Sequence, residues 1–529
     1  MPTDCISYQE SGYFVPLMND YLDQKEHLQS LYNRFPTLEN FKEQIEEKES
    51  NYLNSNREVL FSVLSKQYAS IAISDLTSKN INDLKESNTF TVTTGHQLNL
   101  FTGPLYFLYK IISTINLTNE LKVAYPDKNF VPIYWMATED HDFDEINYFK
   151  FKGKKLQWDR ASAGPVGRFS TEGLSEVLMQ FQSELGLGKN AEELKNLFED
   201  AYLKHNNLAN ATRFLADQLF GSHGLVILDA DDAALKKLFI PYVKEELLHQ
   251  ISHKKVAETA EVLSDYKIQV NPREINLFYI EDHFRERIIL EDTIYAVNNT
   301  EIKFTAQELF EELDNNPEKF SPNVIMRPLY QEVILPNLCY IGGGGELAYW
   351  LELKSFFDAS NITFPALLLR NSVLLATEKQ AKKADKLELK WSDLFLKQFE
   401  LQEKIVRKAS DFTLDFSEQK AFLEAQFAKL KEMAQLTDPS FIGAVNAQET
   451  KQLKGLNTLE KRLIKAEKKQ HADQLNRIIE LQDELFPKHS LQERSANFSE
   501  FYLENGTELI EKLVKVLKPL DNRFEVVVI

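Results

Sequence analysis

Two kinds of periodicity divide this chain. Up to about residue 370, short apolar runs alternate with longer amphipathic stretches, the pattern of strands and helices in an α/β domain. The strand candidates are 89–94 (TFTVTT), 130–137 (FVPIYWMA), 225–229 (LVILD), 275–280 (INLFYI), 337–341 (NLCYI) and 362–370 (ITFPALLLR). Wholly apolar runs of this length suit the buried strands of a parallel sheet. A long apolar helix is expected from Pro104 to about Leu121, with Thr102 as its cap and Pro104 in its first turn. Residues 149–221 break the alternation and read as an insertion.

From about residue 371 to 486 the period changes. Leu423, Phe427, Leu430 and Ala434 follow a four-three-four spacing, and Leu456, Leu459, Leu463 and Ala466 a three-four-three one. Narrow seams of this kind bury one helix against another. The TDPS at 437–440 interrupts them, so an antiparallel helical hairpin is expected, its second arm on the order of 65–70 Å long. That length should protrude from a globular core. Beyond Pro487, LQERSANF (491–498) and the strand candidate FEVVVI (524–529) should return to the α/β core. The expected fold is therefore a Rossmann-like parallel-sheet core over 1–370 with an inserted segment at about 150–221, a protruding antiparallel coiled coil over 371–486, and a returning segment over 487–529.

Composition narrows the function. The chain has 529 residues and a formal charge of −19, with 61 basic against 80 acidic residues. Nucleic-acid binding usually needs a basic footprint, so a small-molecule substrate fits better. No stretch approaches a membrane span, and the start lacks the regions of a signal peptide, so a cytoplasmic location is expected. Two cysteines, Cys5 and Cys339, make neither a disulfide framework nor a Cys-rich metal site. Neither is assigned a catalytic role.

Three segments carry candidate chemistry. In TTGHQLNLFTGP (93–104) a strand ends and a helix follows, so Thr94, Gly95, His96, Gln97 and Asn99 fall where open sheets bind ligands. A plain capped loop explains the pattern equally well. In ATEDHDFDEINYF (137–149), Glu139, Asp140, Asp142, Asp144 and Glu145 surround His141. Crowded carboxylates need a cation, a positive substrate group or shared protons. The competing reading is a solvated acidic loop, with Asp144 capping a helix. Zinc is not expected, for want of a nearby Cys or a paired His. In RPLYQEVILPNLCYIGGGGELAYWLELK (327–354), the run Gly342, Gly343, Gly344 and Gly345 sits between a strand and a helix bearing Glu346, Tyr349 and Trp350. A glycine run there turns main-chain N–H groups to a ligand; otherwise it is a flexible turn. Arg327 suits a carboxylate or phosphate, or an internal ion pair. Asp229, Asp231 and Asp232, and Arg370, Asn371 and Ser372, are weaker candidates.

TGHQLNLFTGPLYFLYKIIS, VPIYWMATEDHDFDEIN, LPNLCYIGGGGELAYWLELK and LQER, in this order, resemble the bacillithiol-synthase family, BshC. The resemblance covers most of the chain. It departs where members often carry TGQQ and GGPGE, since this chain has TGHQ and GGGGE. It implies a ligase that joins L-cysteine to glucosaminyl-malate and a homodimer formed through the coiled coil. Joining a carboxyl to an amine needs carboxyl activation, so ATP, with Mg²⁺, is the expected cosubstrate. Asp140, His141, Asp142 and His96 are then the candidate acid/base and amine-recognition groups. Thr94, Gly95, Gln97, Asn99, Arg327, Gly342–Gly345, Glu346, Tyr349 and Trp350 would bind substrate or nucleotide. Two alternatives stay open: a class I synthetase-like ligase for another amino acid or acceptor, and a non-catalytic coiled-coil adaptor.

Overall fold

The structure, a computed structural model, describes residues 4–529. Its centre is a five-stranded parallel sheet of β1 (Thr89–His96), β2 (Asn129–Met136), β3 (Val226–Asp229), β4 (Asn337–Gly342) and β5 (Ala366–Leu369). The spatial order is β5-β4-β1-β2-β3. The chain adds β2 and β3 on one side of β1, then returns to build β4 and β5 on the other. The order therefore reverses between β1 and β4, and such a reversal opens a crevice beyond the carboxyl ends of the strands. All eight residues of β1 are buried, as their apolar and β-branched composition requires of a central strand.

Helix α1 (Tyr106–Ala124) carries the chain from β1 to β2. It is apolar around most of its circumference and correspondingly buried on nearly every side. Its start corrects the sequence reading. Thr102 caps nothing: Phe101 and Thr102 both have positive φ, and the helix begins only at Tyr106. The ring of Phe101 is drawn into an aromatic cluster with Phe149, Phe181, Phe198 and Phe498, which overrides the local cap signal.

The run at 275–280 also departs from expectation. It forms a strand, Leu277–Glu281, of a separate antiparallel sheet with Phe284–Glu291, Ile294–Val297, Lys303–Phe304 and Phe320–Pro322. Its neighbour FRERIILE presents mostly half-buried positions, so this sheet is covered on one face. Residues 148–220 form a hairpin, Tyr148–Phe151 with Lys154–Gln157, then three helices packed on the edge beside β3.

Beyond β5 comes β6 (Ser372–Ala376), and much later β7 (Arg523–Val528) pairs parallel with it. Asp4–Ser7 adds antiparallel to β7. Between β6 and β7 the chain extends the arm, where α3 (Ser417–Gln435) packs on α4 (Ser440–Gln470). The 31 residues of α4 span roughly 45 Å. The second arm is shorter than its periodicity suggested, because it breaks at His471. The following α5 (Ala472–Leu485) buries Leu475, Ile478, Leu481 and Leu485 in the main core. The base of the arm is thus held by core packing. Its distal end has only a small cluster of Phe427, Ala434 and Val445.

Candidate active site

The carboxyl ends of β1 and β4 bring the first and third sequence segments face to face. Thr94 donates its hydroxyl to the Ile341 carbonyl at 2.7 Å, which fixes one strand end against the other. Gly95 is glycine because the space is taken: a Cβ there would lie 3.2 Å from the Tyr340 hydroxyl and 3.9 Å from Arg327 Nη1. At the next position the His96 ring is buried against Tyr106 and Phe107. Burial, reinforced by Lys110 and Arg370, pushes its pKa well below the ordinary value. The imidazole is therefore neutral at physiological pH, and its Nε2 has no hydrogen-bond partner among the described residues.

One buried ion pair links the two loops. Lys110, inside the apolar helix α1, donates to the Gly95 carbonyl at 2.6 Å and meets Glu346 Oε2 at 2.6 Å. Glu346 also accepts from the Gly343 N–H at 2.8 Å and the Tyr340 hydroxyl at 2.8 Å. Burial would raise the Glu346 carboxyl, but Lys110, Gly343 and Tyr340 outweigh it and hold it below its ordinary range. Burial lowers Lys110, with Glu346 opposing and Arg370 and Arg327 adding to the fall. The function of Glu346 is thereby clear in structural terms: it ties the glycine run to α1.

The glycines differ among themselves. A Cβ on Gly343 would point at Glu346 Oε2 (3.4 Å) and Arg370 Nε (3.8 Å), into the crevice. A Cβ on Gly344 would instead meet Met18 at 3.2 Å and Phe14 at 3.7 Å, while one on Gly345 meets nothing. Of the two aromatic candidates, Trp350 is a core residue, stacked on Tyr340 at 4.5 Å and packed on Phe357 and Phe364. Tyr349 stays half-buried.

Arg370, at the end of β5, completes this half. Its guanidinium forms a two-pronged pair with Glu493 at 2.7 and 3.2 Å, and also donates to the Asn371 carbonyl and the Ser372 hydroxyl. Gln492 accepts from the Leu375 N–H and donates to the Leu375 carbonyl. The LQER segment is therefore a clamp on the core. Arg370 Nε remains without a partner, as does Arg327 Nη2, whose guanidinium lies over Trp135, Tyr340 and Trp350.

The acidic segment beyond β2 is organised differently. Asp140 Oδ1 accepts from the N–H groups of His141 and Asp142, and Oδ2 accepts from Gln97 at 2.9 Å. Gln97 also donates to Glu145, and Asn99 to the Glu145 carbonyl. Glu139 pairs with the buried Lys236. His141, exposed, faces the half-buried Arg285 at 3.0 Å; burial, then Arg285, lowers its pKa. Asp142 is exposed, and neither it nor Asp144 caps the short helix Phe143–Ile146. Asp140 and Glu145 share Gln97 while Glu139 turns to Lys236, and no metal-holding group of three or more His, Cys, Asp or Glu side chains occurs among the described residues. Asp232 caps the helix after β3. Cys339 is buried, which pushes its thiol well above the ordinary value. No helix is long and apolar enough to cross a membrane.

Sequence reasoning missed Lys110 and Glu493. A lone lysine inside YFLYKIISTINL was the available signal, since a charge on an otherwise buried helix demands a partner.

Residues 1–371 match the family described as Bacillithiol biosynthesis BshC, N-terminal Rossmann-like domain. Residues 373–529 match the BshC C-terminal coiled-coil domain. A protein of Flavobacterium johnsoniae named "Putative cysteine ligase BshC" is 66% identical over 529 residues, covering 100% of both chains. A relative of the same name in Christiangramia forsetii is 58% identical, covering 99% of each. One in Bacillus cereus strain AH187 is 28% identical over 96% of this chain and 97% of its own.

Proposed function

We propose, for a chain that belongs to the BshC family of bacillithiol biosynthesis, that it is a cysteine ligase forming a carbon–nitrogen bond between L-cysteine and glucosaminyl-malate. The observation that carries this is the crevice between β1 and β4. It lies at the switch point of a parallel sheet and is walled by Lys110, Arg327 and Arg370. Buried polar atoms there, His96 Nε2, Arg327 Nη2 and Arg370 Nε, have no partner among the described residues. Buried polar groups are normally satisfied, so atoms left open in one crevice suit an anionic, hydrogen-bonding ligand.

A nucleoside triphosphate fits this donor set. Arg370 Nε, Arg327 Nη2 and the main-chain N–H of Gly344 would hold its phosphates, with Mg²⁺ accompanying them. When bound, it supplies the activation that a carboxyl needs before an amine can displace oxygen from it. The chain's own residues orient and shield. Neutral His96 accepts a hydrogen bond or a proton at Nε2, and Lys110 fixes the loop beneath it. A cationic wall stabilises negative charge far better here than in water.

The test is reconstitution from the purified chain, L-cysteine, glucosaminyl-malate, ATP and Mg²⁺, with products read by mass spectrometry. Bacillithiol appearing only with ATP supports the reading, and the released nucleotide, AMP or ADP, identifies the activation. No product with any nucleoside triphosphate overturns it. The arm supports a homodimer, because Phe422, Met433, Leu436 and Phe441 are exposed along α3 and α4. Light scattering should then give twice the 61.2 kDa chain mass.

A further inference from the structure

A cavity of about 720 Å³ lies apart from the crevice, between the carboxyl ends of β2 and β3 and the inserted segment. Thr138, Arg160, Arg168, Asn207, Asn210 and Asp229 are among its lining residues. Its volume falls within the range of small-molecule pockets and is generous for a single amino acid.

The lining is selective about charge. Arg168 is paired with carboxylates, through two bonds to Asp231 at 2.8 and 2.9 Å and one to Asp282 at 2.9 Å. Arg160 stacks over Trp158 and Phe169 and donates to the carbonyls of Ala161 and Ser170. The Arg168 charge is thus paired within the protein, whereas Arg160 Nη2 makes no hydrogen bond among the described residues and is left to donate to an oxygen of the ligand. Asp229 differs. Its Oδ1 accepts the Thr138 hydroxyl at 2.5 Å and the Asp231 N–H at 3.1 Å, whereas Oδ2 accepts nothing from the described residues. Beside it, the oxygens of Asn207 and Asn210 are already used, by the Asn210 N–H and by Arg213. Their amide nitrogens are left to donate. The cavity therefore offers one open carboxylate oxygen flanked by amide donors, which suits an ammonium group with neighbouring oxygens.

We infer that this cavity binds the aminosugar end of the acceptor, with Asp229 Oδ2 receiving its amino group and taking a proton from it. The inference rests on the ligase reading and moves amine recognition from Asp140 and Asp142 to the end of β3. The step balances simply: the ammonium N–H bond breaks, the proton goes to Asp229 Oδ2, and the nitrogen keeps the electron pair with which it attacks. Position agrees, because His96, Met136 and Asp229 stand in register across β1, β2 and β3. In-register residues project on the same face, so Asp229 stands roughly 10 Å along the sheet edge from His96. The acceptor closes that gap once its amine, having given its proton to Asp229, moves to the activated carboxyl in the crevice. Burial, with Asp231 adding to it, raises Asp229 to about 6, a better proton acceptor than an ordinary aspartate.

The test compares wild type and Asp229→Asn by calorimetric titration with glucosaminyl-malate, with its N-acetylated analogue and with L-cysteine, beside thermal melts. Tenfold or greater loss of affinity for glucosaminyl-malate is expected, with cysteine binding unchanged and no difference between the proteins towards the N-acetylated analogue. Equal affinity of both proteins for glucosaminyl-malate overturns the inference, and so does a loss confined to cysteine. If Asp229→Asn fails to fold, Ala161→Trp decides. Ala161 is an exposed lining residue, and an indole there would fill the cavity from its solvent side. It must weaken the aminosugar tenfold and spare cysteine, or the inference falls. Wild-type binding of the aminosugar without any ligation would leave this site standing and remove the ligase reading instead.

Discussion

The two halves of the sheet edge are built on opposite plans. At the ends of β1, β4 and β5, Lys110 and Arg370 are fastened by one ion pair each and Arg327 by Gln331 and aromatic faces, and further donor or acceptor atoms are left open. At the ends of β2 and β3, Glu139, Asp140, Asp231 and Arg168 are spent on other protein groups, and one oxygen of Asp229 faces a roomy cavity. A site that grips anions is made by under-satisfying buried donors. A site that admits an amine is made by leaving a carboxylate oxygen open. Polarity alone would not separate them; the accounting of hydrogen bonds does.

The comparison breaks most forcibly at Glu493. Its carboxylate is buried against Arg370, with side-chain exposures of 1% and 6%. Glu493→Gln should cost about 3 kcal/mol in urea denaturation, because a buried guanidinium loses its charge partner. A loss below about 1 kcal/mol would mean that Arg370 is not held in this way.

Glycine substitutions sharpen the same half. Gly343→Val should weaken nucleotide binding at least tenfold with little change in melting temperature, since its Cβ enters the crevice at a φ of −75° that any residue adopts. Gly344→Val should do the reverse, costing about 1–3 kcal/mol by overpacking against Met18 while sparing affinity. Calorimetry beside a thermal melt separates them, and an affinity loss common to both would erase the distinction.

For the acidic half, the sign of a pH effect is the probe. Asp229 is raised from 3.8 to about 6 by burial and by Asp231, with Arg213 and Thr138 opposing. The folded state then holds the proton more tightly than the unfolded one, so stability falls as pH rises from about 4 through 6. Asp229→Asn does not ionise and should be more stable than wild type by on the order of 1 kcal/mol at pH 7.5. The advantage should vanish near pH 4. A variant less stable than wild type at pH 7.5 would show that the carboxylate is better compensated than this.

The smallest effect is expected at the acidic loop. Asp142→Asn should change stability by less than about 0.5 kcal/mol, because the side chain is exposed. Asp140→Asn should cost about 1 kcal/mol and reduce turnover several-fold, since Asp140 positions Gln97. Equal turnover in both variants would detach Gln97 from the chemistry.

Much of this architecture was legible in the sequence where one element decided its own fate. The runs FVPIYWMA and NLCYI are apolar on both faces, and TFTVTT is β-branched or aromatic throughout, so they had little choice but a buried parallel sheet. The seams of α3 and α4 were equally self-declaring. What escaped was set by distant partners. The run INLFYI carries the same local signal as NLCYI, yet pairs with FRERIILE in another sheet. Thr102 looks like a cap until Phe101 is pulled into its aromatic cluster. Lys110 and Glu493 acquire meaning only when Glu346 and Arg370 arrive from hundreds of residues away. The glycine run showed where a loop would be, but which glycine faces the ligand depends on Met18.

The pairing of Asp4–Ser7 with β7 bears on how the molecule comes to exist. Cys5 and Arg523 touch across 518 positions of chain. A strand placed so early cannot find its edge until the arm has been made and passed. During synthesis its unpaired N–H and C=O groups wait while the Rossmann-like layers above it condense, and loop closure on this scale is slow. The three-stranded sheet should accordingly be the last piece to lock and the first to open under denaturant, with hydrogen exchange at Ile6 and Val526 far faster than at Val92 or Ile133.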